Sequence, residues 1–216
     1  METNTNVIEV KNVSLSIKEN KILNNINVSF ERGKIHGLIG RNGSGKTMLM
    51  KCICGFVKCT SGEIIVNGER VGKDVDFPSN TGIIIENPSF IPYYSGYKNL
   101  KMLAELNGKT KKEDVIASIE SVGLDPKMKR SVKKYSLGMR QRLGFAQAIM
   151  DNPDILILDE PMNGLDVDGV DDIRKCLMEL RNQGKTILIA SHYAEDIEIL
   201  CDTVHEIKKG YLTESE

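Results

Sequence analysis

Hydrophobic positions along this chain change period several times. Near the N-terminus they alternate with polar ones: Val7, Ile8 and Val10, then Val13, Leu15 and Ile17, then Ile26, Val28 and Phe30. That period predicts half-exposed strands. Short unbroken apolar runs follow at 35–39, 82–86, 155–158 and 186–190, the pattern of strands buried on both faces. A strand over about 203–207 ends at Lys209-Gly210, and residues 63–66 run into Asn67-Gly68, a hairpin signal. From Pro88 to about Met150 the spacing is helical. It predicts helices over about 96–106, 111–122 and from 136 onward, and a further helix over about 170–183 stopped by Gly184. Strand–helix alternation gives an α/β sheet. The N-terminal strands and the segment 60–86 are expected to form an antiparallel sheet beside it, and about 88–150 a helical insertion. The whole of 1–216 then reads as one domain, with about 1–87 and 151–216 as its core.

Composition narrows the class. An apolar fraction of 40% and a charged fraction of 27% are those of a globular protein. The net charge of −1 gives no reason to expect nucleic acid as a partner. Basic clusters such as Lys127-Met128-Lys129-Arg130 read as solvated faces. No apolar run approaches the ~20 residues that cross a bilayer, and the polar start, Met1 to Asn6, lacks a signal-peptide core. The expectation is a cytoplasmic chain, with any membrane part supplied by another polypeptide. Five cysteines without a C-x-x-C read as buried free thiols.

Two stretches carry chemistry. Gly40-Arg41-Asn42-Gly43-Ser44-Gly45-Lys46-Thr47 lies between an apolar strand and a helical run that begins at Met48. Glycines there let successive N–H groups aim at phosphate oxygens, and the helix adds the positive end of its dipole. Lys46 can reach the β- and γ-phosphates of a nucleotide, and the Thr47 hydroxyl can hold Mg²⁺. The second stretch is Ile155-Leu156-Ile157-Leu158-Asp159-Glu160, four apolar residues and two acids. A buried strand would set both acids at its C-terminal end, where parallel sheets bind ligands. Asp159 suits the Mg²⁺ shell, and Glu160 suits the polarisation of an attacking water.

Together with Tyr135-Ser136-Leu137-Gly138-Met139-Arg140-Gln141-Arg142, these residues resemble the ATP-binding subunit of an ABC transporter. The resemblance spans about 7–210. It implies a P-loop NTPase core of RecA type, an N-terminal antiparallel β-subdomain and an inserted α-helical subdomain. Asn163-Gly164-Leu165-Asp166 matches the D-loop, and Ser191-His192 the switch histidine at the γ-phosphate. The resemblance further implies that residues 40–48 bind ATP, and that Ser136 and Gly138 bind the ATP held by a second subunit. Two ATP-binding subunits, identical or not, then sandwich two ATPs and drive a membrane permease. The signature departs from L-S-G-G-Q at Tyr135, Leu137 and Met139. Glu86 stands where most relatives have glutamine, and as a carboxylate it is a third candidate Mg²⁺ contact beside Thr47 and Asp159. The phrase from Gly82 to Phe90 is similar to subunits that export bacitracin-like and lantibiotic peptides, which implies immunity or resistance. An importer subunit, or a non-transport ATPase of the same fold, is the alternative. Ile17 falls where the family stacks an aromatic on adenine. Phe90, Tyr93, Tyr94 and Tyr97 are either a permease-facing patch or a local core.

Overall fold

A computed structural model describes residues 5–214, so most of the polar start lies outside the described residues. Among those residues the strands form two sheets. The first is antiparallel, in the order β2 (Asn20–Glu31), β1 (Asn6–Ile17), β4 (Ser61–Val66), β5 (Glu69–Arg70). Asn67 and Gly68, both at positive φ, make the tight turn between β4 and β5. In β1 the apolar positions shift phase between Val10 and Val13. There Asn12 takes φ 52° and the register with β2 slips, so a bulge keeps both halves facing inward.

The second sheet has the order β10 (Tyr211–Glu214), β9 (Thr203–Lys208), β3 (Ile35–Ile39), β8 (Thr186–Ala190), β7 (Ile155–Asp159), β6 (Thr81–Ile84). All neighbours are parallel except β10 against β9. The segment 60–86 therefore divides. Its first part joins the antiparallel sheet, but β6 crosses to pair with β7. As the edge strand, β6 alternates buried and half-buried positions instead of being buried on both faces.

The unbroken apolar runs are explained by layers. Ile155 and Ile157 of β7 join a core shared with β1, β2, β4 and α1 (Lys46–Ile53); Leu156 and Leu158 join the opposite core. That second core is built with α2 (Gly96–Asn107), α3 (Lys112–Ser121), α4 (Leu137–Ile149) and α5 (Val167–Asn182). The expected helical insertion is thus α2 to α4. Helix α5 begins earlier than its apolar spacing suggests, because Asp166 caps it by accepting from the Gly169 N–H at 3.0 Å. A short helix, α6 (Ala194–Leu200), precedes β9.

Phe90 and Tyr97 pack against the helical core. Tyr93 is exposed, and Tyr94 lies under the Lys98 ammonium, 3.7 Å from the ring centre. The sequence alternatives for this aromatic group thus divide residue by residue.

Candidate functional site

The loop after β3 is shaped by its glycines. Gly40, Gly43 and Gly45 have φ of 146°, 78° and 119°. A Cβ on Gly40 would lie 2.2 Å from the Ile207 carbonyl oxygen, and one on Gly45 would lie 2.9 Å from Leu23 Cδ2. At both positions a side chain is excluded twice, by conformation and by space. Gly43 faces open space, so only its backbone angle requires glycine. Arg41 and Asn42 are exposed on the rim, and Met48 is half-buried in the first turn of α1.

The loop folds around its own lysine. Lys46 Nζ donates to the Gly40 carbonyl at 2.6 Å and to that of Arg41 at 3.4 Å, and the residue is buried. Ser44 Oγ is buried without a hydrogen-bond partner. An orphaned hydroxyl next to a buried ammonium, at the start of a helix, is a cradle suited to an anion such as phosphate. Thr47 Oγ1 donates to Asp159 Oδ2 at 2.6 Å, which joins the two expected Mg²⁺ contacts directly.

The ends of β7 and β8 build the next part. Glu160 takes φ 51°, an uncommon angle for a residue with a side chain. Its N–H donates to the Ala190 carbonyl at 2.9 Å. Its Oε2 receives the His192 ring Nδ1 at 2.7 Å and the His192 N–H at 3.4 Å. Sequence reasoning overlooked what holds this histidine. Ser191 Oγ donates to Asp196 Oδ2 at 3.2 Å and accepts from the Tyr193 N–H at 3.1 Å. Arg174 on α5 grips Asp196 through Nε at 3.0 Å and Nη2 at 2.6 Å. The only local signal for Asp196 was an acid among the apolar residues Ala194, Ile197 and Leu200.

Loop and acids meet in one cleft of about 390 Å³, lined by Ile22, Asn42 to Met48, Asp159 and Glu160. Ile22 was missed by sequence reasoning. Ile17, the expected adenine contact, is at the end of β1 and exposed. Ser136 and Gly138 lie outside the cleft lining. Ser136 Oγ caps α4 by accepting from the Met139 N–H at 3.1 Å. A Cβ on Gly138 would lie 3.1 Å from the Gly164 carbonyl oxygen, so signature and D-loop touch within one chain. Glu86 is exposed and ion-paired to Lys51 on α1 at 2.5 Å.

The profile of the family described as ABC transporter matches residues 23–163. This chain belongs to the ABC transporter family. It is an ABC-type ATPase subunit that binds ATP. It is 45% identical over 210 residues to the uncharacterised ABC transporter ATP-binding protein YybJ of Bacillus subtilis (strain 168), covering 97% of this chain and 96% of YybJ. Identity to the bacitracin transport ATP-binding protein BcrA of Enterococcus faecalis is 41%, covering 96% of this chain and 68% of BcrA. Identity to the lantibiotic transport ATP-binding protein SrtF of Streptococcus pyogenes is 38%, covering 94% and 88%. The dimeric structure of MJ0796, a bacterial ABC transporter cassette, superposes with a TM-score of 0.87 at 21% identity over 97% of each chain. That likeness bears on the fold, and it agrees with the expected P-loop core with β- and α-subdomains. Among the described residues of this ABC subunit, no helix is long and apolar enough to cross a membrane.

Proposed function

We propose that this subunit binds Mg²⁺-ATP in the cleft at 40–48, pairs with a second ATP-binding subunit, and hydrolyses ATP to drive a separate membrane permease that exports an antimicrobial peptide or drug. The observation that carries the catalytic part is one convergence. Lys46, the Thr47–Asp159 pair and the Glu160–His192 pair all stand at the C-terminal ends of parallel strands of one sheet. Lys46 and the loop N–H groups stabilise phosphate charge. Thr47 and Asp159 are the groups that would hold Mg²⁺, with Glu86, outside the cleft lining, as a further candidate carboxylate; bound there, the ion would neutralise charge on the phosphate oxygens. Phosphate oxygens and water would complete that shell.

Glu160 polarises the attacking water and accepts its proton. His192 fixes the Glu160 carboxylate and reaches for the γ-phosphate. Ser136 and Gly138, at the start of α4 and outside the cleft lining, serve the ATP of the partner subunit. The subunit then works at the inner face of the cell membrane, held there by the permease. The cargo reading is supported by the 41% identity to a bacitracin transport protein and the 38% identity to a lantibiotic transport protein.

The test compares peptide susceptibility of cells carrying the intact system, lacking it, or carrying the Lys46→Ala form. Loss of protection in the last two against one peptide class supports export. Equal susceptibility of all three to cationic and lantibiotic peptides refutes it.

A further inference from the structure

Cys52 and Cys59 open onto one cavity of about 660 Å³ between α1, β4 and the segment that follows β5. The cavity stands apart from the nucleotide cleft, whose lining contains neither residue. The way α1 ends brings the two thiols together. Gly55 takes φ 79°, its N–H donates to the Cys52 carbonyl at 3.1 Å, and the Phe56 N–H donates to the Lys51 carbonyl at 2.9 Å. That pairing closes the helix and turns the chain back. A Cβ on Gly55 would lie 2.1 Å from the Asp76 carbonyl oxygen, so the turn has little freedom. Past the turn, the Thr60 N–H donates to the Ser14 carbonyl at 2.9 Å, and Thr60 Oγ1 accepts from the Ser16 N–H at 2.9 Å. Cys59 is thus held between two fixed points, and the Cys52 thiol donates a hydrogen bond to its sulfur. Cys52 is enclosed at 2% exposure, while Cys59 is half-buried. Two thiols placed for packing alone would both be enclosed, as Cys54 and Cys176 are. One shielded thiol behind one accessible thiol is the arrangement of a resolving and an attacking cysteine.

We propose that Cys52 and Cys59 form a reversible redox modification site, oxidised to a disulfide by a small-molecule disulfide that enters this cavity. The Cys59 thiolate attacks one sulfur of the reagent, the reagent's S–S bond breaks, and its first half leaves as a thiolate that takes up a proton. Cys52 then gives up its proton, and its sulfur attacks the Cys59 sulfur and expels the second half. The chain loses two electrons and two protons, and the reagent gains both as two thiols. The hydrogen bond from Cys52 lowers the Cys59 pKa and readies Cys59 for the first step. The same contact, and then burial, raise the pKa of Cys52, so Cys52 stays protonated until Cys59 has reacted. The mixed disulfide removes the first of those causes. The finished bridge ties the end of α1 to the entry of β4. In a reducing compartment it forms when the pool of small disulfides rises and reverses when that pool falls.

The experiment treats the whole chain with oxidised glutathione, then with iodoacetamide, then with trypsin in the absence of reductant, and reads the peptides by mass spectrometry. The natural chain should lose labelling at Cys52 and Cys59 together and give residues 52–58 joined to 59–70, with dithiothreitol restoring both labels. Fragmentation of the joined pair should place the bond on Cys52 and not on Cys54. Cys52→Ser should stop with one glutathione on Cys59, and Cys59→Ser should leave Cys52 unmodified. The natural chain supplies the deciding readout by itself, so a variant that fails to fold leaves the test intact. A lasting glutathione adduct on Cys59 of the natural chain would overturn the proposal, since no resolving thiol then acts. A bond to Cys54, a bond between two chains, or no reaction at Cys59 would overturn it equally.

Discussion

Replacing Asp196 by alanine should do two separable things. Asp196 is 3% exposed and accepts two bonds from Arg174 and one from Ser191. Removing one partner of a buried ion pair costs about 3–5 kcal/mol, mostly because the other charge stays buried. Here Arg174 is not fully enclosed: its side chain is 14% exposed, and Glu195 at 3.4 Å and Asp171 at 3.8 Å remain as partners. The loss should then be about 2–3 kcal/mol, or about 4–12 °C in Tm for a chain of this size. Urea unfolding measures it, with the midpoint falling at an unchanged slope. The second effect is catalytic. Ser191 loses the acceptor of its hydroxyl, and Ser191 and Tyr193 flank His192. A looser His192 should lower kcat about tenfold, about 1.4 kcal/mol of transition-state stabilisation. KM for ATP should stay within about twofold, since the loop 40–47 is untouched. Asp196→Asn keeps the shape and an acceptor oxygen, and should fall between the two. A stability loss under about 0.5 kcal/mol with unchanged kcat would refute the argument.

Other outcomes follow from single contacts. His36 is buried with Nε2 against the Glu31 carbonyl at 2.8 Å and Nδ1 against Thr203 Oγ1 at 2.6 Å, and burial holds its imidazole below the usual range. The unfolded chain binds that proton more readily, so stability should be full above about pH 6.5 and fall as the pH drops through the folded pKa. His36→Gln should flatten that slope in urea unfolding from pH 7 to 5; an unchanged slope contradicts it. Burial pushes the Cys54 and Cys201 thiols up to about 12 and Cys176 up to about 11, while a hydrogen bond from Cys52 lowers Cys59. Iodoacetamide on the native protein should therefore label Cys59 first, as read by peptide mass spectrometry, and first labelling at Cys54 or Cys201 would contradict this. Gly82→Ala would bring a Cβ within 2.1 Å of the Ala148 carbonyl oxygen. It should cost about 2 kcal/mol or more by prying α4 from β6, and a loss within experimental error would show that this junction yields freely.

The parts legible in the sequence were those in which local pattern and burial agree. The strands at 155–159 and 186–190 read as unbroken apolar runs because each contributes alternate residues to two cores. The phosphate loop read clearly because its glycines answer to angles that other residues avoid. Sheet membership did not read as well. Residues 82–86 could be seen as a strand, but not that they leave the antiparallel sheet for an edge beside β7, since pairing partners lie some seventy residues away. Helix α6 has seven residues, too few to show a period, and β10 has four. Glu86 was visible as an unusual carboxylate, yet its partner Lys51 is a helix residue whose direction only the packed α1 reveals. Asp196 and Arg174 were silent for the same reason: their bond joins α5 to α6 across 22 positions.

The central claim is that Glu160, paired with His192 at 2.7 Å, turns ATP over in a site completed by a second subunit. The direct test is ATPase activity and sedimentation of Glu160→Gln with Mg²⁺-ATP. The glutamine keeps the size of the side chain and removes the base. ATP binding should persist, turnover should fall to background, and the chain should sediment as a dimer that holds its ATP. Hydrolysis near that of the natural protein, or a monomer with ATP bound, would contradict the account.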